Sequence, residues 1–474
     1  MAFPVILFNS STGSDTAASG AGPGTALTGS AASTDGTGLI VTLDGSPDLS
    51  GVATDGSHVI FINDSTAGKR NFGKITAVDN GAKTVTVSDA FGLSISGKTW
   101  AIGGKRLTIA STTSYKLTRN NSTNGDAMPG WILRMESGYT ETLTANYILT
   151  RVGNTTDGPI ILEGDSAAAT RPVLTFSNNG TAITSGELHI VRNFNLLNSN
   201  ATKTASVGIL TSGNTIIENM IIGDSVSTAS SGKNFYRGIS FGAQPVIYKC
   251  IIRHCSNIGV LSTYYGGSLI DCYIHHNLSH GYNWSSYGGA QHRIFNCIFA
   301  YNGGDGIAFP TNQGNVYGFN YTHILDCTIH GNTSAGIRCD GNTSNFWSFW
   351  AKNCNITANG SYGISCNGAS VTTGFLKGLL LRISNCNFGT GATANTSGDT
   401  TSNANDSEIK QNCVNVDPQY TNASGDDFRV GTNVKALGDP LLTFGGGRSY
   451  VDIGALQRLE AGGIISNDPL DGIN

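Results

Sequence analysis

"LDCTIHGNTSAGI", residues 325–337, is one of five copies of a thirteen-residue pattern. The others are "YKCIIRHCSNIGV" (248–260), "IDCYIHHNLSHGY" (270–282), "FNCIFAYNGGDGI" (295–307) and "KNCNITANGSYGI" (352–364). Without gaps, the copies place Cys250, Cys272, Cys297, Cys327 and Cys354 in one column and Gly259, Gly281, Gly306, Gly336 and Gly363 in another, nine residues on. Two positions before the cysteine stand Tyr248, Ile270, Phe295 and Leu325, with Lys352 in the fifth copy; two after it stand Ile252, Ile274, Phe299, Ile329 and Ile356. Apolar residues at a period of two predict a strand with one buried face.

After the glycine, Val260, Tyr282, Ile307, Ile337 and Ile364 are the inward candidates of a second short strand, followed two residues on by Ser262, Trp284, Phe309, Cys339 and Cys366. Between the strands, Cys255, Asn277, Asn302, Asn332 and Asn359 share a column. There asparagine tolerates a left-handed turn, and its amide can bond to the amide of the next copy. Looser copies centre on Phe194 with Gly208 and on Met220 with Gly238, and Cys386 and Cys413 extend the series. Successive cysteines lie 22, 25, 30, 27, 32 and 27 residues apart, which suits one coil per copy of a parallel β-solenoid. A single coil cannot bury its apolar face, so stacking supplies the core.

The ten cysteines then fill space as small hydrophobes. A zinc site needs ligands that converge on a point, whereas a ladder spreads them along a line. Free thiols are expected, with no metal site and no cofactor. Composition agrees with a turn-rich all-β chain: 63 of 474 residues are Gly and only 13% are charged. With 28 Lys plus Arg against 32 Asp plus Glu and no basic run, nucleic acid is not an expected partner. No stretch approaches the roughly 18 apolar residues of a membrane span, and "MAFPVILFNSSTGSD" lacks a basic segment before its short apolar run. Synthesis in a cytoplasm without a signal peptide is therefore expected, with release by lysis.

Four regions follow. Residues 1–35, rich in Gly, Ala, Ser and Thr, are expected to form an extended arm or linker. Residues 36–109, with the Asn-Gly hairpin signal in "VDNGAKTVTV", should form a small β domain. The solenoid should occupy 110–415, and 416–474 a β cap and tail that cover the edge of the last coil.

Length varies only in the connecting segments 263–268, 285–293, 310–323, 340–350 and 367–382, so all variation falls on one edge of the solenoid. These segments carry Tyr264, Tyr265, Tyr287, Tyr317, Tyr321, Trp347 and Trp350, aromatic faces beside Asn and Ser that suit sugar rings. A flank cover or subunit interface would use the same residues. Glycan hydrolysis normally takes two carboxyl groups roughly 5–9.5 Å apart, and Asp271, Asp305, Asp326 and Asp340 are the candidates. Asp271 and Asp326 share the column before the cysteine with Asn296 between them, two coil steps or about 10 Å apart. His275 and His330, with His254 and His276 beside them, are expected to form a polar surface ladder.

The repeat resembles the right-handed parallel β-helix proteins of the pectin-lyase-like superfamily over roughly residues 110–415. "NVDPQYTNASGDDFRVG" and "YVDIGALQRLE" resemble the closing segment of bacterial β-helix proteins. Of the polygalacturonase motifs, only "SHG" at Ser279, His280 and Gly281 has a counterpart, so the resemblance implies no catalytic residue. A small β domain followed by a stiff β-helix resembles the order in bacteriophage tailspikes. That resemblance implies a virion structural protein on the particle surface, a tailspike, fibre or capsid decoration. It would attach through its N-terminal region to other virion proteins, contact host cell-surface polysaccharide and form a homo-oligomer, a trimer. A polysaccharide lyase or glycoside hydrolase is the alternative, and a bacterial surface adhesin the second; enzymatic activity is left open.

Overall fold

The computed structural model describes residues 5–8, 11, 26–62, 72–88, 90–91, 95–103, 109, 130–149, 158–225, 232, 234–285, 291–309, 319–340, 346–367, 378–390 and 407–430. Among them are parallel and antiparallel strands, a 3-10 turn at Ala423–Gly425, and no α-helix. Among the described residues no helix is long and apolar enough to cross a membrane. The chain is a right-handed parallel β-helix with a small antiparallel barrel, and it divides into two compact units.

The first unit holds residues 1–178 and 182–196. Its barrel is closed by Leu27–Thr34, Ile40–Thr42, Thr84–Val87, Phe72–Asp79, Val59–Ile62 and Lys98–Ile102 in that order. Val41, Ile60, Ile62, Ile75, Val85 and Ile102 are among its core residues. Gly29 is required there by space: a Cβ would stand 2.2 Å from Trp100 Nε1, which donates to Asp44 Oδ1 at 2.6 Å. Beside the barrel, Val5–Phe8, Ile132–Met135, Ile160–Gly164 and His189–Arg192 pair in parallel. Glu163 is buried between Arg134 and Arg192 of the two neighbouring strands, with contacts of 2.6 and 2.7 Å.

The extended arm expected over residues 1–35 is thus corrected at two places. "VILF" at 5–8 is a coil strand, because Ile6 and Phe8 alternate inward and are fully buried. Leu27–Thr34 is a barrel strand, whose small residues suit the close approach to Trp100. The barrel therefore interrupts the β-helix after its first strand and does not precede it.

The second unit holds residues 179–181 and 197–474 and is a stack of coils with three parallel sheets. One sheet runs Thr215–Glu218, Val246–Tyr248, Ser268–Ile270, Gln291–Phe295, Phe319–Leu325, Phe346–Lys352, Gly378–Ser384 and Ser407–Gln411. The next contains Ile251–Arg253, Tyr273–His275, Ile298–Ala300, Thr328–His330 and Asn355–Thr357. The third contains Ile258–Ser262, Tyr282–Trp284, Ile307–Phe309, Ile337–Asp340 and Ile364–Asn367.

Two corners per coil are made by left-handed residues. Lys249, Asp271, Asn296, Asp326 and Asn353, just before the cysteines, have φ of 51 to 55°. His254, His276, Tyr301, Gly331 and Ala358, five residues on, have φ of 52 to 64°. Each corner resets the alternation. The inward residues of the first sheet are therefore Ile247, Leu269, Ile294, Ile324 and Ala351, three before the cysteine, and the expected column two before it faces outward. Likewise the left-handed turn falls on the residue before each asparagine.

The asparagine column forms a hydrogen-bonded ladder. Asn277 Nδ2 donates to Asn302 Oδ1, Asn302 Nδ2 to Asn332 Oδ1 and Asn332 Nδ2 to Asn359 Oδ1, each at 2.9 Å. The same oxygens accept the backbone N–H of the preceding coil at 3.1 to 3.2 Å. Each amide lies where a side chain on the repeated glycine would go. A Cβ on Gly306 would meet Gly336 O and Ile329 Cγ2 at 2.8 Å and Asn332 Nδ2 at 2.9 Å. Glycine serves close approach here, so Gly306→Ala is expected to cost about 1–3 kcal/mol. Thermal unfolding checks this; an unchanged midpoint would show that the coils separate freely.

The thiol column is as expected. Cys250, Cys272, Cys297, Cys327, Cys354 and Cys386 are buried and unpaired by disulfides, and burial raises the thiol pKa of Cys250, Cys297, Cys354 and Cys386. Protonated thiols are poor nucleophiles and poor ligands.

Residues 416–430, expected to cap the last coil, instead lie along the flank of the second sheet. Phe428 is fully buried against Ile251, Tyr273, Ile298 and Ala300, and Tyr301 Oη donates to Ala423 O at 2.8 Å. Apolar outward residues on this sheet supply the reason. The "DIGA" stretch and the tail lie outside the described residues.

Candidate functional site

The strands of the first sheet lengthen from three residues at Val246–Tyr248 and Ser268–Ile270 to seven at Phe319–Leu325, Phe346–Lys352 and Gly378–Ser384. The lengthening takes up chain expected in connecting segments. Tyr321, Trp347 and Trp350 are therefore strand residues, and Phe349 is an inward one with no exposure. Period-two alternation continues across the extension, with His292, Thr322 and Phe349 inside and their neighbours outside.

Register then aligns four outward side chains across four coils: Arg293, His323, Trp350 and Arg382. Coil spacing of about 4.8 Å makes this a row about 14 Å long. Arg293 and Arg382 are exposed, and His323 and Trp350 half-buried, their rings edge to face at 5.6 Å. Lys352 Nζ lies 5.7 Å from the Trp350 ring centre. Tyr321 is exposed beside the row, in register with Gln291 and Ser348. Burial, then the Arg293 charge, hold the His323 imidazole below its ordinary pKa, so it is neutral near pH 7. The face thus offers aromatic surface, polar side chains and two exposed guanidinium groups. Among the described residues no carboxylate forms an ion pair with Arg293 or Arg382. Such a surface suits a flat, acidic, polyhydroxylated ligand.

The other aromatic candidates divide. Tyr264 and Tyr265 are exposed, with ring centres 5.7 Å apart, in the turn before Ser268–Ile270. Tyr287 and Tyr317 lie outside the described residues, as does the Trp347 side chain.

The described carboxylates, Asp271, Asp305 and Asp326, are each engaged within the stack. Asp271 Oδ1 accepts from Asn296 Nδ2 at 2.6 Å and Asp326 Oδ1 from Asn353 Nδ2 at 3.0 Å, so both belong to a corner ladder. Burial raises the Asp271 carboxyl pKa. Asp305 lies near the other corner, almost fully buried, 3.2 Å from His280 Nδ1 and 3.5 Å from Arg338 Nη1. Its Oδ1 accepts from Ala335 N at 2.9 Å, and its own N–H donates to His280 Nδ1 at 3.0 Å. This single carboxylate, tied to two neighbouring coils, serves the packing of the stack. The Asp340 side chain lies outside the described residues.

Sequence reasoning missed Arg293, His323 and Arg382, although each occupies the same outward register as Trp350. It also misplaced the histidines. His254, His275 and His330 lie beneath the returning C-terminal segment, and His275 is almost fully buried.

No protein-family model matches the chain, and no curated protein sequence matches it. Solved structures do. Pectate lyase Pel9A is 15% identical, with a TM-score of 0.46, over 70% of this chain and 89% of that one. The Dettilon tailspike protein gp208 is 14% identical, with a TM-score of 0.34, over 60% of this chain and 62% of the tailspike. The A-module of the Azotobacter vinelandii mannuronan C-5 epimerase AlgE6 is 14% identical, with a TM-score of 0.39, over 60% of this chain and 85% of that one.

Proposed function

We propose that the chain binds acidic polysaccharide on the outward face of its long-stranded sheet. The observation that carries this is the row Arg293, His323, Trp350 and Arg382, with Tyr321 beside it. Sugar rings stack on the aromatic faces while the guanidinium groups pair with uronate or other acidic substituents. Binding is the form the described carboxylates support, since Asp271 and Asp326 are hydrogen-bonded within a corner ladder and Asp305 is tied to Ala335 and His280. Placement on a bacteriophage particle, as tailspike, fibre or capsid decoration, is the finer form of this proposal. A barrel joined to a stiff coil stack supports it, with the barrel as the surface that meets other virion proteins in a trimeric assembly.

Binding of a uronate-containing capsular polysaccharide, compared with dextran of similar size, tests the proposal. The acidic polymer is expected to bind and dextran not. Trp350→Ala should weaken binding ten-fold or more, equivalent to about 1.4 kcal/mol, and Arg382→Ala should weaken it and flatten its salt dependence. Equal binding by wild type and both variants would exclude this face. New reducing ends or unsaturated uronates in the same incubation would instead establish a depolymerase. Mass spectrometry of purified virions tests the particle assignment.

A further inference from the structure

A second cluster lies on the flank covered by the C-terminal segment. His275 ends the strand Tyr273–His275, and His276 follows as a left-handed corner with φ of 52°. That corner turns the two imidazoles toward each other, and their Nδ1 atoms stand 2.7 Å apart. The C-terminal segment supplies a third group. Its 3-10 turn Ala423–Gly425 is capped by the Asn422 side chain and ends at Asp426, with φ of 64°. One ligand atom from each of His275, His276 and Asp426 lies within 4.8 Å of the others. Asp426 Oδ1 is buried and has no hydrogen-bond partner among the described residues.

We infer that His275, His276 and Asp426 bind one divalent transition-metal ion of the Zn2+ class, which fastens the C-terminal segment to the coil stack. Two nitrogen ligands 2.0–2.1 Å from an ion stand about 2.9–3.4 Å apart at ordinary coordination angles, so the histidines need open by only a few tenths of an ångström. Arg253 brings a positive charge nearby, and the Asp224 and Asp426 carboxylates offset it. Tyr273 stacks on His275 with ring centres 3.9 Å apart and fixes its plane. The segment is held independently by Phe428 and Tyr420, which pack on the flank and set the carboxylate in place. Neither the thiol ladder nor the proposed glycan face takes part.

The test uses the full chain, stripped with EDTA and titrated with Co2+ and Zn2+. One Co2+ per chain is expected, with visible ligand-field bands and no thiolate charge-transfer band, and Zn2+ should displace it and raise the unfolding temperature. His276→Gln and Asp426→Asn should each weaken Co2+ binding at least ten-fold while circular dichroism confirms the fold; Cys255→Ser should not. If the chain takes up no stoichiometric metal, the histidine pair shares a proton and the inference is overturned. Binding that survives both ligand variants, or a thiolate band, overturns it as well.

Discussion

Asn302→Ala is expected to destabilise the chain by about 3–5 kcal/mol. The Asn302 amide donates to Asn332 Oδ1 and to Ile274 O, and accepts from both the backbone and side-chain nitrogens of Asn277. Every partner is buried, and a buried polar group left without a partner costs roughly 1–3 kcal/mol. Truncation also opens a gap above Gly281, which the amide fills. Unfolding by guanidinium would give the loss. Hydrogen exchange would locate it, with protection falling at Asn277 and its neighbours while the barrel keeps its own. A loss under about 1 kcal/mol would show that the ladder is redundant with strand pairing.

Acidification is expected to be at least as costly. His292 is buried inside the stack, its Nδ1 bonded to Tyr282 Oη at 2.7 Å with Trp284 and Phe309 around it; burial pushes its pKa down to about 3. His330, packed among Tyr301, Tyr420 and Phe428, is lowered by burial to about 4. In the unfolded chain both take up a proton near pH 6.5. Below that pH the unfolded state holds more protons, so each group withdraws up to about 1.4 kcal/mol per pH unit. The withdrawal ends near pH 4 for His330 and near pH 3 for His292, and the stability is fully present above pH 6.5. Unfolding temperatures from pH 7.5 to 4 would fall steeply, and His292→Gln would flatten the slope while lowering stability at neutral pH. An unchanged slope in that variant would remove His292 from the account.

The repeat made the coil stack legible because two of its columns, Gly and Asn, are a single contact seen twice in the sequence: one residue vacates the space that the other occupies. The thiol column was equally plain, since a small apolar residue at a fixed inward position has little freedom to mean anything else. What periodicity could not supply was phase across a corner. Four of the five corner residues before the cysteines, Asp271, Asn296, Asp326 and Asn353, are of the types that tolerate left-handed backbone, yet residue type alone does not fix the turn, and one left-handed residue shifts every side chain before it to the opposite face. For the same reason Tyr321 and Trp350 were recognisable as candidate aromatics, while Arg293, His323 and Arg382 were not recognised as their neighbours. Register across 27 to 32 residues creates that row, and single-strand patterning does not encode it. The return of Phe428 onto the flank depends on contacts between residues more than a hundred positions apart in the chain, beyond any local signal.

The asparagine ladder also has a mechanical meaning. Its amides all point the same way between Asn277 and Asn359, and they lie parallel to the direction in which the coils are stacked. Tension along that direction loads the links in series, so the weakest one yields first and the stack opens one turn at a time. A sideways load is shared by several turns at once, which makes the same element stiff against bending yet peelable from its ends.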